Sequence, residues 1–430
     1  MQTVPALPRV LPWNSAPEDM AARLRVLPGL VWLDTAGHRP EPDSDGGLSL
    51  LTASPRQILT GHLSDPAPLE RALAELRQRA SSQADWGFPT SGLFGTVDYD
   101  GHYTFGVYDE VLIYRHATRE WFGTGPELPG FLTQLRPSAA PPSGNSGSAV
   151  CPRFQADTTP EHYQSLVSRA QDYITAGDIY QVNLAHRFSA PWPEGADALP
   201  LALRLRAASP APYAAFLDLG GRQVISSSPE SFLKMSGRHI RTRPIKGTRP
   251  RFHEAEADER SAIDLIRSEK ERAELLMITD LLRNDLGQVC EFGSVRVTDL
   301  LKLERFEQVF HLVSTIEGQL RPDISHIAAL SACAPGGSIT GAPKKRATEI
   351  IAELEPGPRG LYTGVIGYFG TLGESQFSIA IRTITIEEKV ASFHVGAGIV
   401  ADSVLEMEWQ ETLHKAAGIL AATDGSPGFS

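Results

Sequence analysis

A single lysine stands between a proline and a glycine in Arg243-Pro244-Ile245-Lys246-Gly247-Thr248. Pro244 fixes its own φ and pushes Arg243 towards an extended conformation, and Gly247 lets the backbone come close to another group. A basic nucleophile suits such a confined place; a solvated lysine between two strands is the alternative. Upstream, Ser228-Pro229-Glu230 offers a carboxyl group at the end of the apolar run Val224-Ile225.

Further carboxylates come in pairs. Glu271 and Glu274 are three residues apart, as are Glu408 and Glu411, a spacing that puts each pair on one helix face. Either pair could be a solvated surface. Yet Glu274 leads into Leu275-Leu276-Met277-Ile278 and Glu411 follows Trp409, so neither face is plainly wet. Four oxygen donors on two converging helices would suit Mg²⁺, a hard ion that keeps several waters. His311 lies in the apolar run Val309-Phe310-His311-Leu312-Val313: a core histidine, or a proton carrier if the other groups gather round it. Pro335 to Pro343 is a glycine-rich loop before a helix, fit either for an anion or for a tight turn. Its spacing is not that of a Walker loop. Arg382 falls within an apolar strand pattern, where its charge calls for a bound anion or a protein carboxylate.

The elements that position these groups follow from periodicity. Leu30–Asp34, two runs within Leu48–Leu59, Gly92–Gly101 and Tyr103–Tyr114 read as strands, the last two joined by a hairpin turn at Asp100-Gly101. Ala67–Ala80 reads as a helix, as does Thr159–Ala176, capped by Thr158 or Thr159 and ended by Gly177. Asp178–Leu184 and Val224–Ser227 are expected strands. Glu254–Asp285 is expected as one helical stretch, followed by helices at Ile324–Cys333, Lys344–Leu354 and Glu406–Ala422. Tyr362–Phe369, Gln376–Ile386 and Val390–Val400 form an expected antiparallel meander. Gly396-Ala397-Gly398 in its last strand permits close backbone approach. The expected organisation is a β-rich region at 1–136, a Pro/Ser/Gly-rich linker at 137–150 and a catalytic domain at 151–425, with a tail after Ala422.

The chain has 430 residues, 41% of them apolar, and a formal net charge of −11. Length favours more than one ordinary core. The acidic balance argues against nucleic acid as the main partner. Cys151, Cys290 and Cys333 are odd in number and far apart, so neither a disulfide framework nor a zinc site is indicated. No apolar run is long enough for a membrane span, and the N-terminal residues lack a secretory pattern, so a cytoplasmic location is expected.

Taken together, these segments resemble the chorismate-utilising enzymes, the family of anthranilate synthase component I, aminodeoxychorismate synthase component I and the isochorismate synthases. The resemblance rests on Ser228-Pro229-Glu230, Pro244 to Arg251, Arg272-Ala273-Glu274 through Arg283-Asn284-Asp285, and His311-Leu312-Val313-Ser314. It continues through Pro335–Lys344, Gly364–Tyr368, Ile381-Arg382-Thr383, Gly396-Ala397-Gly398 and Glu408-Trp409-Gln410-Glu411-Thr412. It is dense over residues 155–422 and implies an α+β fold whose large antiparallel sheets form a sandwich-like core with flanking helices. Two positions sort the chain within the family. Gln181 stands where the water-using members carry lysine. Lys246 stands where the anthranilate synthases have alanine. Gln181 implies an ammonia-using member and Lys246 the aminodeoxychorismate synthase branch, with anthranilate formation as the alternative.

What that resemblance implies is specific. Glu274 and Glu411 would hold Mg²⁺ on the ring carboxylate of chorismate, with Glu271 and Glu408 as further ligands. Lys246 would add to C2, Glu230 would protonate the departing C4 hydroxyl, and His311 would assist. Arg243, Arg249 and Arg251, if close, would depress the lysine pKa. Gln181, Thr248, Ser338, Tyr362, Arg382, Gly396, Ala397, Gly398 and Lys415 would contact substrate. Ammonia would come from a separate glutamine amidotransferase subunit, because no cysteine lies in a Gly-x-Cys-x-Gly elbow. Pro212-Tyr213-Ala214, with Asp34-Thr35 opposite, resembles the wall of a tryptophan pocket.

Overall fold

The computed structural model describes residues 8–37, 47–79, 86–135, 150–306 and 309–423. The expected linker, apart from Val150, and the tail beyond Thr423 lie outside the described residues.

Alternating apolar side chains build two sheets. In the strand Tyr213–Leu219, Ala215 and Leu217 enter one core while Phe216 between them enters another, the two-residue period of a strand covered on both faces. Such strands form antiparallel sheets of 12 and 10 members among the described residues. The core between the sheets takes Val31, Leu50 and Leu217 from the larger and Phe94, Ile366 and Tyr368 from the smaller. The larger sheet's other face lies under Pro160–Thr175, Leu199–Ala208, Lys344–Leu354 and Leu405–Ala422, through Val167, Leu205, Ile350 and Ile419. The smaller sheet packs its other face on Ala67–Arg79, Glu269–Gly287 and His326–Cys333, through Leu73, Leu282 and Leu330. The result is the expected α+β sandwich in four layers, helix–sheet–sheet–helix. Strands from before residue 136 and after residue 150 share both sheets: Val31–Asp34 pairs with Tyr213–Leu219, and Gly92–Val97 with Val365–Gly370. No helix among the described residues is long and apolar enough to cross a membrane.

Three expected elements are broken. Tyr103–Tyr114 is two strands, His102–Tyr108 in the smaller sheet and Val111–Arg115 in the larger; the other two breaks bear on the site. The helical stretch 254–285 is two helices, Ala255–Arg267 and Glu269–Gly287. Ser268 ends the first in an extended conformation and caps the second, its hydroxyl accepting from the Glu271 amide. A serine that satisfies a helix's free N–H groups starts a new helix instead of continuing the old one. The strand Gln376–Ile386 is likewise two strands. Glu374–Ile379 belongs to the smaller sheet and Thr383–Glu387 to the larger. Arg382 is therefore not inside a strand: it sits at the crossover, with φ of 49°.

A second crossover lies beside it. Arg222–Ser228 is in the larger sheet and Ser231–Ser236 in the smaller, so Pro229 and Glu230 also bridge the sheets. Backbone bonds join the two crossings: Ser227 N–H donates to Arg382 O (3.1 Å) and Ile379 N–H to Glu230 O (3.0 Å). The carboxyl group and the arginine singled out in the sequence thus sit on one seam.

Candidate active site

A cavity of about 570 Å³ opens along this seam, well within the range of small-molecule sites. Strand Ile245–Pro250 brings Lys246 and Thr248, and Glu269–Gly287 brings Glu271 and Glu274. The short turn Gly337–Ile339 brings Ser338, and Val390–Ile399 brings Gly396 and Gly398. Leu405–Ala422 contributes Glu411 and Lys415. Glu230, His311, Tyr362 and Arg382 complete this part of the lining. Gln181 and Glu408 are buried behind it, and Ala397 packs into the core under the helices. The glycines are required by space. A Cβ on Gly398 would lie 2.4 Å from Gln181 Nε2 and 3.2 Å from Glu274 Oε1, and one on Gly396 2.6 Å from Leu184 O. Gly247 adopts φ of 69° with Glu271 close by.

Lys246 Nζ donates to Glu274 Oε1 at 2.6 Å, and Gln181 Nε2 donates to the same oxygen at 2.7 Å. Burial disfavours the Lys246 ammonium, but Glu274, Glu230 and Glu411 outweigh burial and hold its pKa above the ordinary lysine value. This corrects the expectation that arginines depress it. Arg243 pairs with Glu304, Arg249 with Asp264 and Arg251 with Asp258, so each cation is neutralised by its own carboxylate. Glu274 moves the other way. Burial raises its pKa, yet Lys246 and the Gln181 bond bring it below the usual carboxylate range.

Glu230 is buried, and burial pushes its pKa up despite Lys246 and a 2.8 Å hydrogen bond from Ser338 Oγ. It is suited to hold and deliver a proton. His311 is pushed down to about 4 by burial, with Nδ1 beside Thr248 Oγ1 (3.1 Å) and Gly247 O (3.3 Å). Its imidazole is therefore uncharged at pH 7. The Arg382 side chain makes no hydrogen bond or ion pair among the described residues, and burial lowers its pKa. Of its two sequence readings, the protein salt bridge is therefore not the one formed. A half-buried guanidinium without a partner is an anion site in waiting.

The four glutamates crowd one another. Burial raises Glu271, and Glu274 and Glu411 raise it further; burial raises Glu408, with Glu411 adding to it. One Glu408 oxygen is buried without a hydrogen-bond partner, and Glu411 Oε1 is held by Lys415 Nζ at 2.7 Å. No group of three or more potential ligands is gathered at metal-holding distance among the described residues. Hard oxygens in mutual repulsion fit a divalent cation in chemistry, while leaving several coordination positions to water and substrate.

The sequence reading missed Asn183, Lys270, His394 and His414, which also line the cavity. The signals were present. His394 shares a strand face with Gly396 and Gly398, His414 follows Glu411 at helical spacing, and Asn183 pairs with Gly398. Elsewhere, Pro212, Tyr213 and Ala214 line a second cavity of about 350 Å³ with Asp34 and Thr35.

Comparison with known proteins agrees with this geometry. The chain is 47% identical over 272 residues to anthranilate synthase component 1 of Thermus thermophilus, covering 63% of this chain and 58% of that protein. It is 46% identical over 267 residues to aminodeoxychorismate synthase component 1 of Escherichia coli, covering 62% and 58%. The matched stretch therefore spans less than two thirds of these relatives' own length. The crystal structure of anthranilate synthase component I from Streptococcus pneumoniae superimposes with a TM-score of 0.77 at 30% identity, covering 88% of this chain and 93% of that one. The menaquinone-specific isochorismate synthase of Escherichia coli, at 19% identity and a TM-score of 0.76, shares the fold. The family model for chorismate binding enzymes matches residues 49–421, and the chain belongs to that family.

Proposed function

We propose that the protein aminates chorismate at C4, producing 4-amino-4-deoxychorismate as an aminodeoxychorismate synthase component I on the route to p-aminobenzoate and folate. The observation that carries this reading is Lys246 Nζ lodged in the cavity between Glu230 and Glu274, on the strand beside Gly247. Relatives named aminodeoxychorismate synthase support it. Formation of anthranilate is the second reading, favoured by the several relatives named anthranilate synthase component 1.

In the proposed reaction Lys246 first loses its ammonium proton to solvent, a cost that its raised pKa imposes, and the free amine adds to C2 of the ring. The double bond shifts and the C4 hydroxyl departs as water with the proton supplied by Glu230. Ammonia then adds at C4, the double bond shifts back and the lysine is expelled. Arg382 pairs with a carboxylate of the substrate, and Tyr362, Lys415 and the Gly396–Gly398 backbone help to hold it. Thr248, Ser338 and neutral His311 supply hydrogen bonds. Mg²⁺ would be held by Glu274 and Glu411, with Glu271 and Glu408 coordinating directly or through water, and would draw charge from the ring carboxylate. Gln181, which cannot act as a base near neutrality, keeps water from being activated there and leaves ammonia as the nucleophile.

We also propose a separate glutamine amidotransferase subunit as the ammonia source. Burial pushes the Cys290 and Cys333 thiols up, to about 11 and about 12, the reverse of an activated nucleophile. The second cavity is proposed to accept tryptophan, Asp34 being buried there beside Arg206 (2.6 Å). The test of the main reading is direct: the pure chain with chorismate, Mg²⁺ and an ammonium salt yields 4-amino-4-deoxychorismate by chromatography and mass spectrometry. Anthranilate with pyruvate would establish the second reading instead.

A further inference from the structure

His394 lines the cavity but belongs to none of the motifs above. Its strand, Val390–Ile399, pairs with Gln181–Pro191 in unbroken register from Val182↔Ile399 to Pro191↔Val390, so the position of the ring is set by ten consecutive cross-strand partners. The imidazole lies 5.3 Å from the Tyr362 ring and within 20° of parallel. The Arg359 guanidinium also packs on Tyr362, 5.6 Å from the ring centroid. Arg359 is itself fixed by Glu355 through bonds of 2.6 and 2.8 Å. A buried ion pair, a tyrosine and a histidine thus form a stack that ends at the cavity.

The end of that stack is unsatisfied. Neither ring nitrogen of His394 has a hydrogen-bond partner among the described residues. Other histidines are anchored through at least one nitrogen: His186 Nε2 meets Thr412 Oγ1 at 2.9 Å, although its Nδ1 has no partner, and His326 bonds through both nitrogens. Burial, with Arg359 and Arg187 nearby, holds His394 at about 3, so it carries no charge under ordinary conditions. A neutral imidazole presents one N–H and one acceptor. Neither nitrogen is sealed from the cavity, so both are open to a ligand's oxygens.

We infer that His394 is a substrate-binding residue, its imidazole held against Tyr362 so that its free nitrogens hydrogen-bond the oxygens of an oxygen-rich, anionic ring substrate. Being uncharged, it adds directional recognition beside the charge supplied by Arg382 and Lys415. The inference rests on the chorismate reading above and adds a contact to it.

Three variants separate this role from mere support of Tyr362. His394→Phe keeps the stack and removes the nitrogens, His394→Gln keeps a donor and acceptor and removes the stack, and His394→Ala removes both. Chorismate binding by calorimetry and KM would be read for each, with circular dichroism confirming the fold. A weakening of about tenfold in Phe and Ala, with Gln within about threefold of wild type, is expected for a lost hydrogen bond. Wild-type affinity in Phe, with losses in Gln and Ala, overturns the inference and leaves a positioning role only. A wild-type chain that binds no chorismate overturns the inference together with the reading beneath it.

Discussion

Arg382 shows how a residue can be costly to the fold and useful to the site. Its half-buried guanidinium has no protein partner, so the folded chain bears its desolvation without compensation until an anion arrives. Arg382→Met is expected to leave Tm unchanged or higher in ligand-free protein while weakening chorismate binding by about 10- to 100-fold, the worth of a charge-assisted bond. Melting curves and calorimetry on the same preparation read both. Glu230 gives a pH signature. Its folded pKa lies above its ordinary 4.5, with burial the main cause. In the window between those two values the folded chain binds the extra proton, so this group's contribution to stability falls as pH rises and is lost above the folded pKa. Glu230→Gln should therefore gain Tm over wild type at pH 8 and gain less or nothing at pH 4. The types of these residues were legible because Ser-Pro-Glu and Ile-Arg-Thr stand out in the chain. The partners were not: pairing of Lys246 with Glu274, 28 positions away, and of each arginine with its own carboxylate is decided by packing.

Elements carry the site through close approaches as much as through side chains. Gly398 faces Asn183 across the strand pair and touches Gln181 and Glu274. Gly398→Ala should push those two side chains aside and reduce kcat/KM by at least about tenfold, since misplacement of this size disturbs the reacting geometry. Because the obstructing atoms are side-chain tips, the urea midpoint should move little. In Gly396→Ala the obstruction is the Leu184 carbonyl, part of the neighbouring strand, and the midpoint should fall. Helix and strand types were mostly readable from period and caps; Thr159 caps its helix as expected, its side chain accepting from the His162 amide. What period could not reveal was the break at Ser268 and the crossing at Ala380–Arg382. Apolar residues continue through the second, where only the tertiary choice of sheet interrupts them; at Ser268 the chain is polar from Arg267 to Arg272, and the break comes from the serine cap.

At the scale of the molecule, two sheets meet at a seam, and a buried ion pair ties the segments around it. Arg359 bonds Glu355, the Ile339 carbonyl (3.1 Å) and the Asn183 carbonyl (2.7 Å), joining the Ser338 turn to the Gln181–Pro191 strand. Arg359→Met would strand the Glu355 carboxylate and should cost about 3–5 kcal/mol in urea unfolding. Which strands belong to which sheet was not legible, because every buried strand carries the same alternation. The seam, and hence the reason Glu230 and Arg382 are neighbours, emerged only with the fold. The central claim is that Lys246 forms a bond to the substrate ring, and it can be tested without product analysis. The protein would be incubated with chorismate and Mg²⁺ in the absence of ammonia, quenched, and read by intact-mass and peptide mass spectrometry. The account predicts a mass gain equal to chorismate less one water, located on the peptide holding Lys246 and discharged by an ammonium salt. An unmodified Lys246 peptide in active enzyme, with full turnover retained by Lys246→Ala, would contradict it.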